Sequence, residues 1–136
     1  MSSLSLIFDA YTDGSFNGKQ ASWAFVVIQD NKPLITRKGV LDGDINSMWQ
    51  IGGEIMAAQN LILWAKELDY RINLYYDYLG VEYWATKKWK AKNPHTKAYQ
   101  EFMQENAKYV NRYVKVKAHS NDFFNNFVDE LAKHKA

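Results

Sequence analysis

Residues 51–77 read IGGEIMAAQNLILWAKELDYRINLYYD, and this stretch decides the fold. Its first part places Ile55, Ala58, Ile62, Ala65 and Leu68 at helical spacing, which predicts a helix from about Ile51 to Leu68. Residues 71–77 then read as a strand, and a strand that follows a helix favours a right-handed crossover with parallel pairing. Each part carries an acid at a telling place. Glu54 follows Gly52 and Gly53 in the first turns of the helix, and Asp77 closes the strand after Tyr75 and Tyr76.

Upstream, residues 4–12 form a strand that ends at Asp13-Gly14-Ser15. A turn through Asn17-Gly18 leads to a second strand over 21–29. A hairpin turn at Asp30-Asn31-Lys32-Pro33 leads to a third over 34–41, and Gly43 to Ser47 is a loop. Downstream, residues 80–89 form a short helix, Asn93-Pro94 breaks the chain, and 95–109 form another helix. Residues 111–118 alternate as a fifth strand, and the closing helix runs from Asn121 to the end. The order is β-β-β-α-β-α-α-β-α. This is an α/β protein with a five-stranded mixed sheet, three antiparallel strands and then two parallel, flanked by helices.

The chain has 136 residues with 47% hydrophobic and 15% aromatic content, enough for one core. We read residues 1–136 as a single domain. No apolar run reaches the roughly 18 residues of a membrane span, so no membrane partner is expected. With no cysteine, disulfides and thiolate metal sites are excluded, and a cytoplasmic protein is expected.

Four acids stand in suggestive settings: Asp13, Glu54, Asp77 and Asp129, the last in Val128-Asp129-Glu130-Leu131-Ala132. Alone, Asp13 reads as a turn residue, Glu54 as an acid favoured by the helix dipole, and Asp129 as an ordinary helix acid beside Asn125 and Asn126. Together, on elements that one sheet can bring to a point, they would repel strongly unless cations neutralise them. A set of oxygen ligands suits Mg2+ or Mn2+, and with it phosphate-ester chemistry. Gly52-Gly53 is expected to leave the space around Glu54 open. His119, in a loop after the fifth strand, is placed to move protons or aid product release. His95 and His134 read as surface residues. Lys87, Lys88, Lys90 and Lys92 cluster around Trp89, a pattern that suits a phosphate backbone.

Asp-Gly-Ser after the first strand, Gly-Glu opening a helix, Asp closing the fourth strand, and His119 ten residues before Asp129 resemble the type 1 ribonuclease H family in order and spacing. The likeness covers roughly residues 5–135. The stretches Tyr75–Tyr78 and Trp84–Lys90 are similar to the ribonuclease HI-like subgroup whose nuclease domain often follows a viroplasmin-like domain; no such domain is present in these residues.

The resemblance implies a single catalytic domain that hydrolyses the RNA strand of RNA–DNA hybrids with two Mg2+ ions, Mn2+ being an alternative. It leaves 5′-phosphate and 3′-hydroxyl ends. Asp13 would touch both ions, Glu54 and Asp77 the one on the leaving side, and Asp129 the one on the attacking side. Gly14, Ser15, Asn17, Asn46, Ser47, Gly53, Lys87, Lys88, Trp89 and Lys90 are the candidate nucleic-acid contacts. A monomer suffices for this chemistry. Two other readings compete, a non-catalytic nucleic-acid-binding module and a related nuclease acting on DNA junctions or transposon ends. The complete acid set argues against the first, and the absence of insertions against the second.

Overall fold

The computed structural model describes residues 6–117 and 122–133. It has strands β1 (Ile7–Phe16), β2 (Ala21–Gln29) and β3 (Lys32–Val40), helix α1 (Trp49–Leu68), strand β4 (Arg71–Tyr76), helices α2 (Gly80–Ala85) and α3 (Pro94–Glu105), strand β5 (Val110–Lys115) and helix α4 (Phe123–Lys133). They build a five-stranded sheet of order β3-β2-β1-β4-β5. β1, β2 and β3 pair antiparallel, and β4 and β5 run parallel to β1, as the order of elements predicts.

Alternation along the strands feeds two cores, one on each face. Phe8, Ala10, Phe25, Val27, Ile72 and Leu74 meet Ile55, Ala58, Leu61 and Ile62 of α1. Tyr11, Ala24, Val26 and Ile28 meet Val128 and Ala132 of α4 on the other face. No helix among the described residues is long and apolar enough to cross a membrane.

Several boundaries differ from expectation, each for a local reason. β1 does not stop at Asp13 but continues to Phe16, because β2 pairs with it all the way to Phe16↔Ala21. The hairpin turn is tighter than read: Asp30 and Asn31 take φ of 53° and 61°, the pair of left-handed residues a two-residue hairpin wants, so β3 begins at Lys32. The 43–47 loop is a 3-10 helical turn over Gly43–Met48, and α1 begins at Trp49 rather than Ile51. α2 ends at Ala85, well short of 89, and Lys87 follows it at φ 68°. α3 starts at Pro94, where Asn93 and Thr96 form a reciprocal capping box, and stops at Glu105; a separate 3-10 turn covers Ala107–Tyr109.

Candidate active site

Register sets the level of the first two acids. β1 and β4 pair from Ile7↔Arg71 to Tyr11↔Tyr75. Two residues further along each chain stand Asp13, still in β1, and Asp77, just past the end of β4. The sheet therefore delivers both carboxylates to the same height, at the carboxyl end of its central parallel pair.

Glu54 reaches them through a contact of bare backbones. A Cβ on Gly14 would lie 2.3 Å from the Glu54 nitrogen, and one on Gly53 would lie 2.2 Å from the Ser22 carbonyl oxygen and 2.9 Å from the Gly14 Cα. Only glycine at both positions lets α1 lie this close to β1 and β2. The expectation that Gly52-Gly53 keeps the space around Glu54 open is thus corrected. Gly53 is filled by the sheet, and Gly52 by Leu41, Ile45 and Met48.

Oxygens of Asp13, Glu54 and Asp77 all lie within 4.8 Å of one another. Asp13 is 2% exposed and Glu54 1%, while Asp77 is partly exposed. They form the floor of a cleft of about 390 Å3 that Gln50, Ile51, Tyr78, Asn125, Asn126 and Asp129 complete. Asp129 lines the cleft from α4 but stands outside the tight three-acid group among the described residues. Lys133, one turn on, holds it at 3.1 Å. The hydrogen bond to Asp129, then its charge, raises the Lys133 ammonium above its ordinary value.

The electrostatics are unfavourable as they stand. Burial, partly offset by a hydrogen bond with Glu54, pushes the Asp13 carboxyl from 3.8 up to about 8. Repulsion from Asp77 and the carboxyl of Asp129 add to the rise, and the Gly14 N–H, which donates to Asp13 Oδ1 at 2.9 Å, opposes it. Glu54 is raised well above its usual range by burial, then by the charges of Asp13 and Asp77. While Glu54 keeps its proton, it can face the Asp13 charge. Once both ionise, neither offers the other a donor, and Asp13 Oδ2 and both Glu54 oxygens are buried without a hydrogen-bond partner among the described residues. Protons or cations must supply what the protein does not. The donor set, all carboxylate oxygens with part of it open to the cleft, fits hard divalent cations.

The sequence did not single out Gln50, Tyr78 and Asn125 as cleft residues, although two of them carried a signal. Gln50 and Asn125 each precede an acid, Glu54 and Asp129, by one helical turn and so share its face. Asn125 is 3% exposed and its Oδ1 has no hydrogen-bond partner among the described residues. Burial, then the charge of Glu54, raises the Tyr78 phenol, which keeps it a neutral hydroxyl at the cleft wall.

The candidate nucleic-acid contacts fall in different places. Asn17 Oδ1 accepts from the Lys19 and Gln20 amides and so shapes the β1–β2 turn. Asn46 accepts from the Ala21 amide at 2.6 Å and donates to the Lys19 carbonyl at 2.9 Å, and Ser47 donates to the Asp44 carbonyl within its own turn. Ser15, on β1 two residues past Asp13, is half-buried. Trp89 packs edge-on to Tyr78, Tyr83 and Trp84, and the Lys88 ammonium sits 4.9 Å over the Tyr83 ring. Lys87, Lys88 and Lys90 are exposed around this aromatic cluster. His119 and His134 lie outside the described residues. His95, read as a plain surface residue, pairs its Nε2 with Asp44 Oδ2 at 2.8 Å.

The sequence pattern of one family, RNase H, matches residues 7–136. A ribonuclease H of Acetivibrio thermocellus is 31% identical over 137 residues, covering 90% of this chain and 89% of that protein. Among solved structures, RNase H1 of the archaeon Halobacterium salinarum has the same fold, with a TM-score of 0.72 at 18% identity over 92% of this chain and 93% of that one. So does LC11-RNase H1, isolated from compost and solved in complex with an RNA/DNA hybrid, with a TM-score of 0.63 at 18% identity over 90% and 94%.

Proposed function

The chain belongs to the RNase H family, and from that premise we propose that it hydrolyses the RNA strand of RNA–DNA hybrids, leaving 5′-phosphate and 3′-hydroxyl ends. One observation carries the reading. Asp13, Glu54 and Asp77 converge at the floor of an open cleft, where Asp13 Oδ2 and both Glu54 oxygens are buried with no hydrogen-bond partner among the described residues. Such an arrangement is costly in a fold unless divalent cations load it, and metal-assisted phosphodiester hydrolysis is a use that the family supplies.

Each residue then has a role set by its position. Asp13, Glu54, Asp77 and Asp129 would hold two Mg2+ ions, or Mn2+. When bound, such a pair neutralises charge on the attacking and leaving oxygens of an in-line displacement at phosphorus. Asp13 and Glu54 are too deep to touch a duplex themselves, so their part is to anchor charge. Asp77 and Asp129 are partly exposed and border the space a phosphate would enter. The Gln50 amide, exposed at the cleft wall, can meet a sugar hydroxyl. The ribose 2′-hydroxyl, donor and acceptor at once, is the chemical mark by which the RNA strand is told from DNA. Lys87, Lys88 and Lys90 around Trp89 suit the phosphates of the second strand, a contact that carries little sequence preference. His119 would assist turnover. The stretches Tyr75–Tyr78 and Trp84–Lys90 support placing the chain with the viroplasmin-associated subgroup.

The test is cleavage of end-labelled RNA–DNA hybrid, duplex DNA and duplex RNA, with Mg2+ or Mn2+ and with chelator. Metal-dependent cutting of the RNA strand of the hybrid alone is expected, with product ends that a phosphatase and a ligase read as 5′-phosphate and 3′-hydroxyl. Equal cutting of duplex DNA, or saturable hybrid binding with no cutting, would overturn the proposal.

A further inference from the structure

Beside the cleft, a large aromatic side chain is held in water by a backbone conformation that such residues avoid. Trp49 is 64% exposed and takes φ of 57° and ψ of −134° as the chain passes from the 3-10 turn into α1. A bulky residue at positive φ is strained, and exposing an indole does nothing for folding. Its ring is nonetheless fixed. It lies near-parallel to that of Phe16, with centroids 5.8 Å apart and an interplanar angle of 24°. Phe16 ends β1 three residues past Asp13, and Trp49 directly precedes Gln50 and Ile51 in the cleft wall. The turn that delivers it is tied to β2 by Asn46, whose amide bridges the Ala21 nitrogen and the Lys19 carbonyl. The result is an indole backed by a ring on one face, next to the acids in both chain segments that carry it.

We propose that Trp49, backed by Phe16, is a stacking platform for one nucleotide of the substrate flanking the cut, acting on binding and placement and not on the chemical step. The inference rests on the cleft being the hybrid-cleaving site. Continuity with that cleft selects the occupant. A strand that presents a phosphate to Asp13, Glu54 and Asp77 continues past the rim where Gln50 and Trp49 stand. In a paired hybrid neighbouring bases cover each other's faces, so an aromatic face takes the flat side of a ribose, or of a base that unstacks beside the cut, without reading sequence.

The test compares wild type with Trp49→Ala, Trp49→Phe and Phe16→Leu. Steady-state cleavage of labelled hybrid is measured, together with equilibrium binding of the same hybrid in an Asp13→Asn background, where cutting does not interfere. Trp49→Ala is expected to raise KM and the binding Kd about tenfold with kcat within about twofold, in line with the loss of one stacked nucleotide. Trp49→Phe should recover most of the loss, and Phe16→Leu should show a smaller one. Unchanged KM and Kd in a folded Trp49→Ala protein would overturn the platform. So would a Trp49→Ala protein that changes from dimer to monomer in sedimentation while keeping its hybrid affinity, since the ring would then be a contact between copies of the chain. Abasic nucleotides walked along each strand separate the two stacking partners. A position where the abasic change weakens wild type but not Trp49→Ala marks a base, and no such position marks a ribose. If wild type binds hybrid through Trp49 yet never cuts it, the platform stands and the proposed activity falls.

Discussion

Replacing Asp13 by Asn should abolish cleavage and, in metal-free protein above neutral pH, raise stability. The shift of Asp13 from 3.8 to about 8 sets the scale. At about 1.4 kcal/mol per pH unit, ionising this carboxyl in the fold costs on the order of 6 kcal/mol more than in the unfolded chain. Water and side-chain relaxation in an open cleft absorb half or more of that, leaving about 2 kcal/mol. The sign follows from the direction of the shift. A carboxyl raised in the fold contributes stability below its unfolded pKa and loses it as pH climbs through the folded value. Wild type therefore weakens between about pH 4 and the region of 8, and Asn does not titrate. The substitution also keeps an oxygen to accept the Gly14 N–H, so the local backbone has no reason to move. Thermal melts in chelator should show variant and wild type nearly equal at about pH 4. By pH 8 the variant should be ahead by about 6 °C, taking about 3 °C per kcal/mol for a chain of this size. Adding Mg2+ should reverse the order, because only the intact site gains stability from binding. A variant less stable than wild type in chelator at pH 8, or a difference that ignores pH, would refute the account of a charge-strained pocket.

Other expectations follow from the same geometry. Gly53→Ala puts a methyl group 2.2 Å from the Ser22 carbonyl, so α1 must shift; a loss of about 2–4 kcal/mol in denaturant melts and a fall in activity are expected, with wild-type stability refuting the close-contact argument. Tyr11→Phe removes the hydroxyl that donates to Asp122 Oδ2, whose other oxygen caps α4 through the Phe124 and Asn125 amides; about 1 kcal/mol of stability should go, and half-maximal cleavage should need more Mg2+, since α4 carries Asp129. His119→Ala should slow turnover by roughly 100-fold or more without abolishing it, and complete loss in single-turnover cleavage would make it a metal ligand instead.

Much of the architecture was legible because its signals are periodic. The α1 apolar positions and the alternation in β1, β2 and β4 are properties of side chains taken one or two turns at a time. Asp13, Glu54 and Asp77 could be nominated from their places at strand and helix ends, and the structure brings these three together. What could not be read was any distance that depends on two backbones at once. The Gly14–Gly53 approach is invisible until β1 and α1 are docked, so Gly52-Gly53 looked like open space when it is contact. The end of α2 was misplaced for a similar reason. Residues 86–89 keep helical composition, but Gln100 and Gln104 reach across from α3 to take the Trp84, Trp89 and Ala85 carbonyls, and Lys87 turns left-handed. Nothing local to Asn46, a candidate nucleic-acid contact, reveals that both ends of its amide also serve backbone across the turn.

The bare approach of β1 to α1 also shapes how this protein would answer a saturation screen. Scored on activity alone, Gly14 and Gly53 would be as intolerant as the acids they flank, and would be mistaken for reacting groups although they carry no side chain that could react. Scored in parallel on folded yield, the two classes should part. Changes at the glycines should lower both scores, while neutral replacements at Asp13 or Glu54 should lower one and leave the other intact or improved. The inert positions limit which sequences can hold the charged ones, so an attempt to transplant this acid set onto another sheet must carry the two missing side chains along with the three carboxylates.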